Sequence, residues 1–479
     1  MTGSLSRTQL RVLDSIDGRL LSTGHVLFWQ PTSGRAGHLS VRSKDTGERL
    51  VLLPLRTQPA SIADLPAGLL GGALHRALNG RALVDLVSLR VDAKSADVSV
   101  KDQTIADVTA QQFVDDTCCL WIDTRRGFEK EAKNALGGSG TRDSNLETFH
   151  RLTKDAEKAA QLNNKGFPAL KPAQPASEAV AILHKTLLAQ MMSQVDGTCR
   201  DVDIEFLHDL RVASRRARSL LQTVKSVFAE DVQTSAIEGY RWIGQQTTDL
   251  RDLDVYLDDF PALEAALSPE MRSALQPFRK LLTQDRSRAL RKVRTTLTGK
   301  RFGGFTKDWD AKLAAAESFT GADANKPIFD IAGEAIWKRY RRICKDGAAI
   351  NDERPAEALH DLRKQGKKLR YLLEFFASLY PEKIVKPRIT ALKKLQDLLG
   401  AYQDCAVQAE FLENKAARLR KDVSVPADTL MAMGALADQR LQDEKRLRQD
   451  FQSFFKPFAS DAERAGYRDM TKSAKTSKK

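Results

Sequence analysis

Two segments of this sequence repeat the same pattern of histidine and basic residues, which are residue types that can bind an anion. The first, LHDLRVASRRARSLL, begins at Leu207, and the second, LHDLRKQGKKLRYLL, begins at Leu359, so a constant offset of 152 residues (359 − 207) relates them. Arginine can grip a phosphate with its planar fork of donors, and lysine supplies a mobile point charge. The matching pairs are His208 with His360, Asp209 with Asp361, Arg211 with Arg363, Arg215 with Lys367, Arg216 with Lys368, and Arg218 with Arg370.

Helical geometry places most of these cations on one face. At about 100° per residue, His208 and the arginines that follow it fall within an arc of roughly 80°, opposite an apolar face. We call these two faces the basic stripes. The first consists of His208, Arg211, Arg215 and Arg218, and the second of His360, Arg363, Lys367 and Arg370, with Arg216 and Lys368 at their edges.

The sign of the charge distinguishes these stripes from an ordinary solvated helix face. A solvated face normally mixes acids and bases and so gains pairs one turn apart, whereas the sequence from Arg211 to Val224 contains no acid. Stacked like charges repel each other, so a polyanion would stabilise such a face. Two alternatives stay open, since the stripes could be solvated surfaces and the two histidines could anchor their helices instead of contacting a ligand.

The repeat extends beyond these two segments. The same offset aligns Arg241 with Lys393 and Asp252 with Asp404, which indicates two copies of a multi-helix unit. From Ser177 onward the sequence is dominated by long amphipathic segments. It therefore predicts an all-α region of two similar antiparallel bundles.

Composition favours a polyanionic partner without choosing one. The chain has 479 residues and a net charge of +14, which suits nucleic acid, polyphosphate or an anionic membrane surface. Aromatic residues make up 7% of the chain, which disfavours extensive base stacking. The five cysteines lack C-x-x-C spacing, so we expect neither a disulfide framework nor a bound metal, and no cofactor. The start of the chain resembles no signal peptide, and no apolar run is long enough to span a membrane, so we expect a soluble cytoplasmic protein.

The first third of the chain has a different pattern. Short segments rich in valine and leucine alternate with turns up to about residue 126, which predicts an antiparallel sheet or barrel. The overall expectation is therefore an α+β chain. We predict a sheet-rich domain over 1–165, a linker over 166–177, the helical domain over 178–465 and a disordered basic tail over 466–479.

The repeated His-Asp-Leu-Arg segments with their basic clusters resemble the CHAD domain, the conserved histidine α-helical domain. TDLRDLDVYL after the first segment and LKKLQDLLGAYQD after the second also match that family. The resemblance implies two pseudo-symmetric four-helix bundles with a basic surface that binds inorganic polyphosphate, and an association with polyphosphate granules. The ligands it implies are His208, Arg211, Arg215, Arg216, Arg218, His360, Arg363, Lys367, Lys368 and Arg370, with Lys185, Lys338, Arg341 and Arg342 as further candidates.

In the sheet-rich domain, the segments RVLDSIDGRLLSTGHVLFW and RALVDLVSLRVDAKSADVSVKD resemble parts of the CYTH, or triphosphate tunnel, family, which often precedes a CHAD domain. Members of that family bind metal through acids on an early Glu-x-Glu-x-Lys strand. Here Glu129, Glu131 and Lys133 match that pattern but lie at the wrong end of the domain, in a segment that favours a helix. We therefore expect a degenerate domain without catalysis and a non-enzymatic polyphosphate-binding protein. The alternatives are a metal-dependent triphosphatase and a nucleic-acid-binding protein.

Overall fold

A computed structural model describes most of the chain. The described residues are 6–32, 35–66, 69–100, 103–113, 118–125, 127, 128, 130, 131, 134, 141–161, 166–224, 226–351, 355–422 and 424–472. They form two compact units, Met1–Gly166 and Phe167–Lys479. The first is built around a sheet and the second is helical, as the sequence predicts.

The first unit contains one antiparallel sheet. Its described strands are β1 (Ser6–Asp14), β2 (His25–Pro31), β3 (Gly37–Ser43), β4 (Arg49–Leu55), β5 (Val84–Val100), β6 (Gln103–Phe113) and β7 (Cys118–Thr124). Their spatial order is β4-β3-β2-β1-β5-β6-β7. The prediction of an antiparallel sheet is confirmed, and this half-barrel is compatible with a CYTH-like domain.

Apolar side chains fill both faces of the central strands. Alternate residues of a strand point to opposite faces, so Val12 and Phe28 join one buried cluster while Leu13 and Trp29 join another. Helices α1 (Arg19–Ser22), α2 (Ala73–Leu78) and α3 (Thr141–Gln161) accompany the sheet. Phe149 of α3 lies in the first cluster. Of the Glu-x-Glu-x-Lys match, Glu131 is helical, whereas Glu129 and Lys133 lie outside the described residues.

The second unit is built from helices. They are α4 (Ala176–Ser193), α5 (Val195–Arg200), α6 (Ile204–Thr223), α7 (Glu230–Asp258), α8 (Phe260–Ala265), α9 (Pro269–Arg272), α10 (Gln276–Leu297), α11 (Lys300–Ala314), α12 (Ile328–Ala348), α13 (Ala356–Phe375), α14 (Glu382–Leu419), α15 (Ala427–Phe458) and α16 (Asp461–Thr471). Buried apolar side chains from the whole unit form one continuous core.

The helices repeat at the offset found in the sequence. Helices α4 and α12 begin at Ala176 and Ile328, which are 152 residues apart (328 − 176). Helices α6 and α13 keep this offset at both ends: they begin at Ile204 and Ala356 and end at Thr223 and Phe375. Helices α7 and α14 also begin 152 residues apart (382 − 230). The fourth long helices are α10 and α15, so each repeat contributes four.

An approximate two-fold relation joins the repeats. The amide of Ala176 donates to the carbonyl of Lys326 at 2.9 Å, and the amide of Ile328 donates to the carbonyl of Gln174 at 2.9 Å. Each donor is 152 residues from the other donor, and the acceptors are related in the same way. The two hydrogen bonds are therefore equivalent, and they hold the starts of α4 and α12 side by side.

Two predicted boundary segments have more structure than the sequence indicates. Residues 166–177 are predicted as a linker, but Leu170 is buried in the helical core and its amide donates to Ser378 Oγ at 3.0 Å. The prediction of a disordered tail from residue 466 is wrong for its first part. Helix α16 continues to Thr471 and buries Tyr467 and Met470, because these two apolar side chains complete the core beside α12. Residues 473–479 lie outside the described residues.

Candidate functional site

Local sequence fixes how the first basic stripe is presented. The carboxylate of Asp203 accepts hydrogen bonds from the amides of Glu205 and Phe206 and so caps the start of α6. Leu210 and Leu220 of α6 are fully buried. Because this face packs into the core, the stripe on the other face points away from it. Helix α13 repeats the arrangement with Leu362 and Leu372 buried.

Arg215 and Lys367, which are equivalent residues of the two repeats, form the centre of the site. Both side chains are half-buried. Burial, together with the positive charges of Arg363 and Arg215, lowers the pKa of Lys367 to about 8. Arg215 and Lys367 come from different helices, so the fold brings the two stripes together into one positive cluster. We call these two residues the central pair.

Arg211 and Arg363 are also equivalent, but they have different partners. Arg211 Nη1 donates to the carbonyl of Gly244 at 2.9 Å and to Thr247 Oγ1 at 2.7 Å. Arg363 Nη2 instead pairs with Asp404 Oδ1 at 3.1 Å. Burial, together with the charge of Arg215, lowers the pKa of Arg211 to about 10. Acids lie near both arginines, because Asp252, the equivalent of Asp404, and Asp249 also act on the charge of Arg211.

Arg216 differs from the other predicted ligands. Its side chain is 5% exposed and forms an ion pair with Glu374 Oε2. Its guanidinium also lies over the rings of Phe167, at 5.7 Å, and Tyr371, at 5.5 Å. The structure thus makes Arg216 a buried contact between the repeats. The sequence predicted that Arg216 would lie on the accessible stripe. Its position at the edge of the stripe turns towards α13, so the side chain is buried instead.

Glu374 also holds a second predicted ligand. Arg370 Nε donates to Glu374 Oε1 at 2.8 Å, so one carboxylate binds two arginines, one from each repeat. The sequence did not predict that Glu374 would pair with both arginines. An acid four residues after Arg370 could have suggested an intrahelical pair, but nothing indicated that Arg216 would reach it.

Three more cations lie on a second side of the central pair: Arg218, Lys368 and Arg339. Burial lowers the pKa of Lys368, and the charges of Arg339 and Arg218 lower it further. Burial and the charge of Arg241 lower the pKa of Arg218. Arg339 was not predicted, although Lys338, Arg341 and Arg342 beside it were. It bonds to Gln365 Oε1 of α13, a contact that depends on helix packing.

The histidines and the remaining candidates occupy different positions. His208 and His360 are half-buried, and His360 Nδ1 bonds to Gln403 Oε1. This contact anchors His360 to α14. Lys185, Lys338, Arg341 and Arg342 are exposed, with Lys185 on α4 and the other three on α12. Arg342 Nε pairs with Asp346 at 3.2 Å.

Metal-binding groups and membrane-spanning helices would also bear on function. Among the residues that the structure describes, no three histidine, cysteine, aspartate or glutamate side chains are grouped so that they could hold a metal ion. None of the described helices is both long enough and apolar enough to cross a membrane.

Comparison with known proteins identifies the helical region. The CHAD domain family model matches residues 182–413. The crystal structure of the CHAD domain from the plant Ricinus communis superimposes with a TM-score of 0.51 at 21% sequence identity, over 60% of this chain and 94% of that domain. At this identity the likeness shows a shared fold.

Two curated relatives match a similar length of sequence. Both are uncharacterized proteins of Mycobacterium tuberculosis, each 27% identical over 250 residues, which is 51% of this chain and 46% of the relative. The match thus spans about half the length of these relatives. Together with the paired helices and their repeated His-Asp-Leu-Arg segments, the family match shows that residues 182–413 of this chain form a CHAD domain.

Proposed function

We propose that the helical unit binds inorganic polyphosphate through the cations gathered around the central pair. The observation that carries the proposal is the meeting of Arg215 and Lys367, equivalent cations of two repeats, at one half-buried place where Lys367 has a pKa of about 8. Bringing like charges together costs free energy in the absence of a ligand. A bound polyanion would offset that cost, and this links the arrangement to function.

The character of the site favours a polymer over a single phosphate. Each exposed ion pair contributes about 0.2 to 1 kcal/mol, so one phosphate contacting a few cations binds weakly. A chain that contacts both repeats at once binds by avidity. Because cations from α6, α12 and α13 adjoin one another, a linear polyanion suits the site, and association of the protein with polyphosphate granules would follow.

Polyphosphate is preferred to nucleic acid because the described residues of the site offer cations, while the two rings beside them already contact a cation. The rings next to the site, Phe167 and Tyr371, pack against buried Arg216. Binding to single-stranded nucleic acid commonly depends on accessible aromatic side chains that stack with bases. Polyphosphate has no bases and needs only the charged donors that the site provides.

The test compares polyphosphate binding by the wild type and by the double variant Arg215→Glu/Lys367→Glu. We expect the variant to lose at least tenfold in affinity, since two attractive contacts become repulsive. Arg420→Glu/Lys421→Glu is the matched control. It makes the same charge change at two exposed positions just after the end of α14, and that end lies about 22 Å beyond Asp404 at 1.5 Å per residue.

Two outcomes would contradict the proposal. The first is equal loss of affinity in the control variant, which would indicate a nonspecific charge effect. The second comes from competition: if long-chain polyphosphate does not displace bound RNA or DNA from the wild type, nucleic acid is the better assignment. Circular dichroism of each variant checks that its helices remain folded.

A further inference from the structure

The two flanks of the central pair occupy equivalent positions by the two-fold relation, but their charges differ. We call the flank formed by α12, by Lys364 and Lys368 of α13 and by Arg218 of α6 the α12 flank, and its counterpart formed with α4 the α4 flank. Adding or subtracting 152 gives the matching positions: Arg218 with Arg370, Lys368 with Arg216, Lys364 with Val212, Arg339 with Leu187, and Arg342 with Gln190. Five cations on the α12 flank thus correspond to two on the α4 flank.

The cations of the α12 flank are held next to one another by helix packing. Arg339 Nη1 donates to Gln365 Oε1 and so fixes its guanidinium against α13. Lys368 follows Gln365 by three residues, and Arg342 follows Arg339 by three, so each lies one turn further along its helix. The two acids bonded to this group are exposed: Asp346 pairs with Arg342, and Asp361 pairs with Lys364 at 3.1 Å. The group therefore keeps an excess of positive charge.

At the matching positions the α4 flank has no such excess, although α4 also carries exposed Lys185. Its two arginines, Arg216 and Arg370, both bond to the carboxylate of Glu374. Leu187 is 1% exposed and Gln190 is 8% exposed, so the positions that match Arg339 and Arg342 belong to the core. Glu374 thus occupies, on this flank, a place where a phosphate could otherwise contact both arginines.

We propose that a bound polyphosphate chain leaves the central pair in one direction only, along the cations of α12 and α13, and that Glu374 closes the opposite direction. This inference rests on the proposed function and adds a direction and a set of residues to it. Its physical basis is the charge difference between two positions that the fold itself makes equivalent. Arg339 is then a residue that contacts the bound chain, whereas Arg370 contributes little to binding.

The first experiment uses chain length. The variant Arg339→Gln/Arg342→Gln removes two cations at the outer part of the α12 flank. With each exposed ion pair contributing about 0.2 to 1 kcal/mol, it should weaken the binding of long-chain polyphosphate roughly 2- to 30-fold. Tripolyphosphate has only three phosphates and so contacts fewer cations than a long chain, and on the one-directional path its affinity should change by a smaller factor. Isothermal titration calorimetry with both ligands measures the difference.

The second experiment compares equivalent residues. Arg218→Gln and Arg370→Gln remove the same group at matching positions of α6 and α13. We expect Arg218→Gln to reduce the affinity for long-chain polyphosphate by the larger factor, because Arg370 is already neutralised by Glu374. A melting curve for each variant establishes that both fold.

The outcomes separate this inference from the proposed function. If Arg370→Gln weakens binding as much as Arg218→Gln, or if the α12 variant affects both ligands equally, the one-directional path is wrong while polyphosphate binding stands. If the wild type does not bind polyphosphate, or if Arg215→Glu/Lys367→Glu binds it normally, the proposed function fails and this inference fails with it.

Discussion

Arg216 of the first repeat and Glu374 of the second form a buried ion pair across the boundary between the repeats, with side-chain exposures of 5% and 17%. The residues that match them at the repeat offset are Lys368 and Gln222, so this pair has no counterpart. A single carboxylate therefore contributes to the contact between the repeats and to the difference between the two flanks of the site.

The first prediction concerns the stability that this pair provides. Removing one partner of a buried pair leaves an uncompensated charge, which costs roughly 3 to 5 kcal/mol, whereas replacing both partners with apolar residues costs much less. We expect Glu374→Met to destabilise the helical unit by about that amount and Arg216→Met/Glu374→Met to be nearer the wild type. Denaturant unfolding followed by circular dichroism measures the difference.

An exposed pair on α14 supplies the control for this prediction. Lys386 and Glu382 are 77% and 84% exposed, and such pairs contribute about 0 to 1 kcal/mol. Lys386→Met should therefore change stability little. A Glu374→Met variant as stable as Lys386→Met would show that the buried pair is not important for the fold.

The second prediction concerns the pH dependence of binding. Lys367 has a pKa of about 8 in the free protein, so it loses its positive charge as the pH rises through that value. A bound polyanion favours the charged form, and its affinity should therefore fall between pH 7 and pH 9. The loss should be roughly 1.4- to 5-fold, as expected for one exposed ion pair.

The control replaces Lys367 with a residue that stays charged. Arginine remains protonated throughout this range, so Lys367→Arg should bind polyphosphate with a flatter pH profile. Fluorescence-based titrations at several pH values compare the two proteins. Parallel profiles would mean that Lys367 is not the group that titrates.

The third prediction concerns salt. If about six cations are neutralised and each contributes a slope of about −0.7, as for single-stranded nucleic acid, affinity should fall roughly 300-fold between 50 and 200 mM salt. The slope of log affinity against log salt counts the contacts. Arg339→Gln/Arg342→Gln should make that slope shallower, and an unchanged slope would place these two residues outside the contact surface.

The fourth prediction concerns His184, which is fully buried in the first repeat beside Phe228 and Trp309. Neither ring nitrogen has a hydrogen-bond partner among the described residues. Burial lowers its pKa from 6.5 to about 3. Below pH 6.5 the unfolded chain therefore takes up a proton that the folded protein does not, and stability falls as the pH drops from 6.5 towards 3, by about 1.4 kcal/mol per pH unit.

The equivalent residue of the second repeat shows how to test this. Ile336 occupies the matching position and is also fully buried. We expect His184→Ile to leave stability at pH 7 unchanged or higher, since an unpaired buried polar group is costly, and to reduce the loss at acid pH. Unfolding at pH 7 and at pH 5 measures both effects. A variant with the same acid sensitivity as the wild type would exclude His184 as its cause.

The sequence predicted the parts of the fold that repeat. Helices α6 and α13 keep the 152-residue offset at both ends because the same apolar spacing buries Leu210 and Leu362 in both. Sequence reasoning could not distinguish Arg215, which faces its equivalent, from Arg216, which is buried. That distinction depends on the position of Glu374 on another helix, and the contribution of Arg339 depends in the same way on Gln365. Such contacts have no signal in the spacing of a single helix.

The last prediction concerns the sheet-rich unit, which we propose is not a metal-dependent triphosphatase. Enzymes of the type that this sheet resembles need charged side chains inside the barrel, but Leu27 and Trp29 of β2 and Leu39 and Val41 of β3 are buried together on one face, and Phe28 lies in the cluster on the other. These positions of β2 and β3 are thus apolar on both faces and offer no charged ligand for a metal or a triphosphate. We expect no phosphate release from tripolyphosphate above background with Mg²⁺ or Mn²⁺, measured by a colorimetric phosphate assay. Release that depends on the divalent ion and disappears in Glu129→Ala or Glu131→Ala would contradict this, because it would assign catalysis to the Glu-x-Glu-x-Lys segment.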